Sequence, residues 1–354
     1  MDSLTQFALG AAVSTVFLGK TLGPRKAALL GGALGTLPDL DVFLPFDNPV
    51  DAFVLHRGWT HSLFVHVVAA PVIGELLVRT IKALKEHRAL VWLTVLLCLT
   101  THAMIDAMTV YGTRLFWPFF QDPVGVGSVF IIDPLYTLPL VGVVIWALSR
   151  RHWTPVLARG LATAIVFTTG YMVLSVVLQA YVESRAKVIF AEAGIEADRV
   201  FAIAGPLNTV VWKVIGLEDD RYHNIYLSLF DGTSAPRIYT HPRHPELVAE
   251  LGDVDAFQKL EWFSRGYYRA ELEGQRIVVS DLRMGLTPSY VFRFAIAEQR
   301  GDTVIAIPPD PLSNRTGTIG QDLDWLSDRF LGRAVIREAE FDALSGCGER
   351  IAVC

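Results

Sequence analysis

Cysteine is scarce in this chain: there are three in 354 residues, and none is spaced Cys-x-x-Cys. That spacing argues against a thiolate zinc site. Charge is scarce too, at 19% of residues against 52% hydrophobic, a balance too apolar for an ordinary soluble protein of this length. The net charge is only −5 and no basic stripe is present, so nucleic acid is not an expected partner. Internal repeats and low-complexity tracts are lacking. The chain opens without a basic stretch and carries Asp2, so no cleavable signal peptide is expected. Cys98 lies inside an apolar run and reads as a packing residue, whereas Cys347 and Cys354 could pair if that end faces an oxidising compartment.

The few charges are unevenly placed. Only 22 of the 67 Asp, Glu, Lys and Arg residues fall in residues 1–181. The expected architecture is an α-helical polytopic membrane domain over 1–181, followed by a soluble, extracytoplasmic α+β domain over 182–354. A helix needs about 20 residues to cross a bilayer. Six apolar stretches approach that length: 4–22, 27–44, 61–81, 89–106, 128–149 and 155–181. Gly and Thr dilute the first two, which could equally form a short re-entrant pair. Ten of the twelve Lys and Arg in this half fall in alternate loops. The positive-inside rule puts those loops in the cytoplasm. An even number of spans then leaves the second half outside, anchored to a bacterial inner membrane.

In the second half, residues 183–193 extend the last apolar helix. Alternation and flanking Gly, Pro and Asp predict strands at 200–204, 224–230, 276–280, 290–297 and 303–307, with a helix at 321–331. His223, His241 and His244 lack tight spacing and read as solvated loop residues.

What the first half does contain is a set of histidines and aspartates at the edges of its apolar stretches: Asp39, Asp41, His56, His61, His102 and Asp106. Ionisable groups beside hydrocarbon are expensive and usually mark a site. Imidazole with carboxylate suits Zn2+ or another divalent transition metal. His102 and Asp106 are four apart, so a helix puts them on one face. Asp39 and Asp41 follow Pro38, and an extended backbone there would aim both carboxylates at one centre. Gly58 permits a sharp turn between His56 and His61. Thr60 is expected to cap the following helix, with His61 in its first turn. All these residues fall at the same predicted extracytoplasmic face. Arg57 either clamps an anionic substrate group or meets a lipid headgroup. Thr60, Ser62 and Arg114 are expected to support the ligands, with Tyr111 walling the site. Asp2 and Asp133 are optional further ligands. His66 reads as a core histidine.

At these residues the chain resembles a family of LexA-regulated inner-membrane proteins described as membrane-bound metal-dependent hydrolases. The resemblance rests on Met1-Asp2 with Thr5-Gln6, Leu37-Pro38-Asp39-Leu40-Asp41, the run from His56 to Ser62, Thr101-His102 with Asp106, and Tyr111-Gly112 with Pro118-Phe119. It covers about residues 1–180 and implies a hydrolase with His and Asp metal ligands. That family is more distantly similar to zinc-dependent phospholipase C and the P1-type nucleases, which hints at a phosphoester. The second half departs from the short members of the family.

The expectation is therefore a hydrolase of an ester or phosphoester at the outer membrane face, with a lipid or lipid-linked substrate natural at headgroup depth. Asp39 would act as base and Arg57 would stabilise developing charge. Two other readings remain open: a divalent-metal transporter, and a membrane binding protein held together by a structural ion.

Overall fold

The computed structural model describes residues 1–232, 236–301, 303–313 and 319–349. The chain divides into two compact units. One holds residues 1–44, 56–177 and 206–208; the other holds 45–55, 178–205 and 209–354. One boundary falls near 177, and segment 45–55 packs within the second unit. The chain therefore leaves the first unit between Asp41 and His56 and then re-enters it.

The first unit is helical. Its elements are α1 (Ser3–Leu22) and α2 (Pro24–Thr36), α4 (Leu63–Thr80) and α5 (Arg88–Met108), α6 (Pro134–Ser149), and the start of α7 (Pro155–Glu192). Among the described residues, three helices are long and apolar enough to cross a membrane: α4, the stretch Lys82–Met108 that contains α5, and α7. The other apolar stretches of the expected six form helices that are shorter or more polar. Helix α2 has only 13 residues, because Pro24 starts it and the chain turns at Pro38. Helix α6 has 16, because Asp133 and Pro134 set its start. Helix α1 carries Thr, Gln and Ser among its apolar residues, and most of these are buried in the bundle.

Helices α1 and α2 approach closely through glycine, as membrane helices commonly do. A Cβ added at Gly10 would lie 2.3 Å from the Gly31 carbonyl oxygen, and one at Gly35 would lie 2.6 Å from that of Gln6. Helix α5 packs on both of them, which brings its last turns beside Gln6 and Gly35.

The second unit is α+β. Strands β1 (Arg199–Ala204), β2 (Val211–Leu217), β3 (Arg221–Ser228) and β4 (Tyr239–Pro242) form an antiparallel meander in that order. A second antiparallel sheet runs β10-β9-β6-β5, from β5 (Tyr268–Glu273), β6 (Arg276–Asp281), β9 (Arg293–Arg300) and β10 (Thr303–Pro311). Strands β7 (Gly285–Leu286) and β8 (Ser289–Tyr290) make a short hairpin. The tail of α7 packs Val182, Ala186 and Phe190 against Trp212, Val214, Ile225 and Leu227 of the meander. Helices α8 (Pro245–Glu250), α9 (Asp255–Ser264), α10 (Ile319–Phe330) and α11 (Glu338–Glu349) complete the unit.

Helix α3 (Pro49–Leu55) is anchored in this unit by Phe53, whose ring stacks on Phe292 at 4.2 Å and meets Phe263 edge-on at 4.8 Å. Asp51 adds an ion pair to Lys259 at 2.6 Å. His223 and His241 are not solvated: both are buried in strands, His223 against Glu218 and His241 against Glu340, each at 2.9 Å. The Cys347–Cys354 pair lies outside the described side chains.

Candidate metal centre

Two short 3-10 turns carry the residues that precede α4. The first, Pro38–Phe43, follows α2; the second, Trp59–His61, runs into α4. The first turn corrects the extended backbone expected for Asp39 and Asp41. With about three residues per turn, positions two apart diverge, so the two carboxylates serve different partners. The second turn also moves the helix cap. Ser62, not Thr60, caps α4 through Val65 N–H, and His61 stands before the helix rather than inside it.

One oxygen of Asp39, one oxygen of Asp106 and the Nε2 atoms of His61 and His102 converge within 4.8 Å of one another. The two Nε2 atoms are 3.1 Å apart. Asp39 Oδ1 is 3.4 Å from His61 Nε2 and 3.3 Å from His102 Nε2. Asp106 Oδ2 is 3.4 Å and 3.6 Å from the same atoms. Ligands held about 2.0–2.1 Å from a tetrahedral zinc lie about 3.3 Å from each other, so these separations are those of donors around one small cation.

The hydrogen bonds behind the rings say what the facing atoms carry. His102 Nδ1 is 2.6 Å from the Gly35 carbonyl, which can only accept, so Nδ1 holds the hydrogen. The Thr60 hydroxyl donates to Asp41 Oδ2 at 2.8 Å and therefore accepts from His61 Nδ1 at 2.9 Å. Both Nε2 atoms thus face the centre with lone pairs. Asp106 Oδ2 is buried and has no aligned hydrogen-bond donor. With both rings neutral, four electron-rich atoms meet with no hydrogen between them, an arrangement costly in a buried site unless a proton or a metal cation enters the middle. The residues therefore fit a divalent ion. The partners behind the imidazoles are the kind that fix ligand histidines.

The same demand for positive charge shows in titration. Burial opposes charging His61, but hydrogen bonding to Asp106 and Asp39 outweighs it and raises the His61 pKa above the ordinary 6.5. Burial pushes the Asp39 pKa up, yet His102 and His61 hold it well below the usual carboxylate range.

Asp41 belongs to an adjacent group. Its Oδ1 is 2.9 Å from His56 Nδ1, an ion-pair distance without hydrogen-bond alignment. Its Oδ2 accepts the Arg57 N–H at 3.0 Å as well as the Thr60 hydroxyl. Burial raises the Asp41 pKa, but the His56 pairing prevails and the net direction is down. The His56 ring stands outside the four converging atoms, edge-on to Tyr111. Arg57 is buried, with its guanidinium over the Tyr111 ring and its Nε 3.1 Å from Asp106 Oδ2. It faces the site rather than a headgroup. Its φ of 58° is left-handed, a strained setting for a side-chain-bearing residue. The Asp41 bond and the Arg114 N–H to Arg57 carbonyl bond at 3.1 Å hold it there.

Two supporting groups had no role assigned from the sequence, although Gln6 stands among the residues that carry the family resemblance. Gln6 Nε2 donates to Asp106 Oδ1 at 2.8 Å, beside the Met1 amino group on the same oxygen. Gly35 offers its carbonyl to His102. A buried glutamine in an apolar helix was the available signal for the first; nothing local marked the second. Asp2 caps α1 by accepting from Leu4 and Thr5 N–H groups. Asp133 caps α6 and accepts from Tyr171 OH at 2.7 Å. Neither is in the converging group. Ser62 Oγ donates to the Trp117 carbonyl, and the Arg114 guanidinium reaches Gln121.

The fold and site define a helical membrane protein with a buried histidine–aspartate group that could hold a cation, and an appended α+β unit. The chain belongs to a family described as YdjM inner membrane protein, whose model matches residues 1–183. It is also similar to an uncharacterized protein, YfhP, of Bacillus subtilis (strain 168), at 28% identity over 156 residues. That match covers 41% of this chain and 46% of the relative, so the chain spans about half the length of the curated relative it matches. No likeness to phospholipase C or the P1 nucleases accompanies these matches. No solved structure matches.

Proposed function

We propose that the chain is a membrane-bound metal-dependent hydrolase of an ester or phosphoester, acting at the outer face of the cytoplasmic membrane with zinc or another divalent transition ion. The observation that carries this reading is the convergence of Asp39, His61, His102 and Asp106 on one point, with Arg57 and the Asp41–His56 pair beside it. Asp39 is the least buried of the four, with 23% of its side chain exposed, and marks the side from which a substrate would approach.

A bound divalent ion would supply an acidified water and polarise the bond to be cleaved. The chain's own groups do the rest. His56 is partly exposed and turns Nδ1 to Asp41, leaving Nε2 to take and return a proton. This assigns the base to His56 rather than Asp39, because Asp39 Oδ1 is already one of the converging atoms. Arg57 faces the same centre and would stabilise negative charge developing on the substrate. Gln6 and Thr60 hold Asp106 and His61 in place.

A structural ion is the second reading, favoured by the count of four donors, which is that of closed structural sites. The transporter reading has less support: His102 and Asp106 stand in the last turns of α5, whereas carriers bind near mid-span.

The test uses purified, metal-loaded protein with p-nitrophenyl acetate and bis(p-nitrophenyl) phosphate. Metal-dependent turnover is expected on one of them, and His56→Ala is expected to lower kcat by about 100-fold or more with metal content intact. A fully loaded protein that turns over neither compound, with a four-coordinate cobalt spectrum, would favour the structural ion.

A further inference from the structure

The converging group is flanked by a cavity of ≈ 320 Å³ whose walls are mostly apolar. Val65, Ala69 and Ile73 line it together with Leu37, Leu40 and Leu99. Val65, Ala69 and Ile73 are successive i, i+4 positions on α4, so they make a straight stripe of about 12 Å at 1.5 Å per residue. That is most of one leaflet, whose share of a hydrocarbon core of about 30 Å is about 15 Å. The polar lining is confined to Asp41, Thr60 and His66. Asp41 and Thr60 are the residues that brace His56 and His61, so the cavity lies against the side chains that support the candidate metal centre.

His66 adds a second, independent feature. Its Nε2 donates to the Thr60 carbonyl at 2.8 Å, which leaves Nδ1 as an acceptor. That Nδ1 is buried and has no hydrogen-bond partner. A core histidine with an unused acceptor beside a cavity is a ready seat for a donor from a ligand.

We propose that this cavity seats one hydrocarbon chain of a membrane lipid, with the lipid's hydroxyl-bearing head at Asp41, Thr60 and His66, where it would donate to the free His66 Nδ1. Three features select this occupant. The long wall is a stripe of a helix fit to span the membrane, so hydrocarbon is what surrounds it. The polarity changes along the cavity from aliphatic to hydrogen-bonding, as along a lipid. The polar end offers acceptors, the Asp41 carboxylate and His66 Nδ1, which suit the hydroxyl groups of a lipid head. A neighbouring trough of ≈ 410 Å³ shares Val65, Ala69 and Ile73 with this cavity, adds Phe64, Val68, Val72 and Pro118, and has no such polar end; Val72 serves as the comparison position. The proposal rests on the hydrolase reading only for its consequence, that a lipid is the substrate; lipid binding itself stands on the cavity.

The test is native mass spectrometry of the full chain released from nanodiscs containing 1-O-hexadecylglycerol, a one-chain, hydroxyl-headed lipid without an ester to cleave. Wild type is expected to retain one equivalent. Leu40→Trp, which narrows the cavity, and His66→Phe, which removes its free acceptor, are expected to retain about tenfold less; both positions line the cavity and not the trough. Val72→Trp, in the trough alone, retains as much as wild type. Metal content of each variant reports its folding; should Leu40→Trp fail to fold, His66→Phe decides. Equal retention by all variants, or none by wild type, overturns the proposal. If the retention pattern holds but no metal-dependent turnover is found, the hydrolase reading falls and the lipid site stands.

Discussion

His61 Nε2 and His102 Nε2 stand 3.1 Å apart, and the bonds behind both rings leave each, when neutral, with a lone pair toward the other. Two such atoms repel unless something positive lies between them. The carboxylates of Asp39 and Asp106 close the other sides of the same point, so the relationship is a request for a cation written in hydrogen bonds.

The Thr60 hydroxyl links this pair to the neighbouring one, because it bonds both His61 and Asp41. Thr60→Val keeps the shape and removes the link. Partners of this kind are worth about 10–100-fold in metal affinity, so that loss is expected by competition with a chromophoric chelator, and Thr60→Ser is expected to restore most of it. Unchanged affinity in Thr60→Val would separate Thr60 from the site.

Gly35 is required twice, for close packing of α2 on α1 and for its carbonyl on His102. A Cβ there would meet the Gln6 carbonyl oxygen at 2.6 Å and the Gly10 Cα at 3.0 Å. Neither backbone can yield cheaply. Gly35→Ala is expected to shift the end of α2 and to weaken metal binding by about 10-fold or more, with a lower Tm in detergent. Both readouts at wild-type values would contradict this packing.

The pH response changes sign with the metal. In metal-free protein the raised His61 pKa means that protonated His61 stabilises the fold. That contribution is full below the unfolded value of 6.5 and is lost as pH rises through the higher folded value. The metal needs the same nitrogen without its proton, so affinity rises over the same interval. Thermal unfolding from about pH 6 to pH 9, with chelator and with zinc, is expected to give opposite slopes for the His61 contribution. His61→Gln should flatten both.

Phe53 is buried among Phe263, Phe292 and Phe294. Phe53→Ala is expected to cost the second unit about 3–5 kcal/mol. Hydrogen exchange on the intact protein should show this as faster exchange over 45–55 and in β9. Unaltered exchange there would show that α3 is not anchored as described.

Much of the site was legible because membrane proteins tolerate few buried ions. His102 and Asp106 stand out by helical spacing, and His61 by its place at the start of an apolar run. The division of labour between Asp39 and Asp41 was not legible, because it depends on Pro38 starting a 3-10 turn instead of an extended strand. His56 and His61 look alike in sequence, yet only His61 joins the converging atoms. The Gly35 carbonyl could not be found at all, since a backbone group has no sequence signature. In the second half, alternation located β9, but β2 is buried at every position and carries no alternation to read. Nor does any local pattern tell that residues 45–55 pack with a unit more than a hundred residues away.

The most direct measurement is the metal content of the purified chain, by inductively coupled plasma mass spectrometry, for wild type, His102→Ala and Asp106→Asn. A divalent transition metal near one equivalent in wild type, falling to a small fraction in both variants with the fold retained, is what the converging donors predict. Wild type without stoichiometric metal after zinc loading, or His102→Ala binding as much as wild type, would contradict the account at its root.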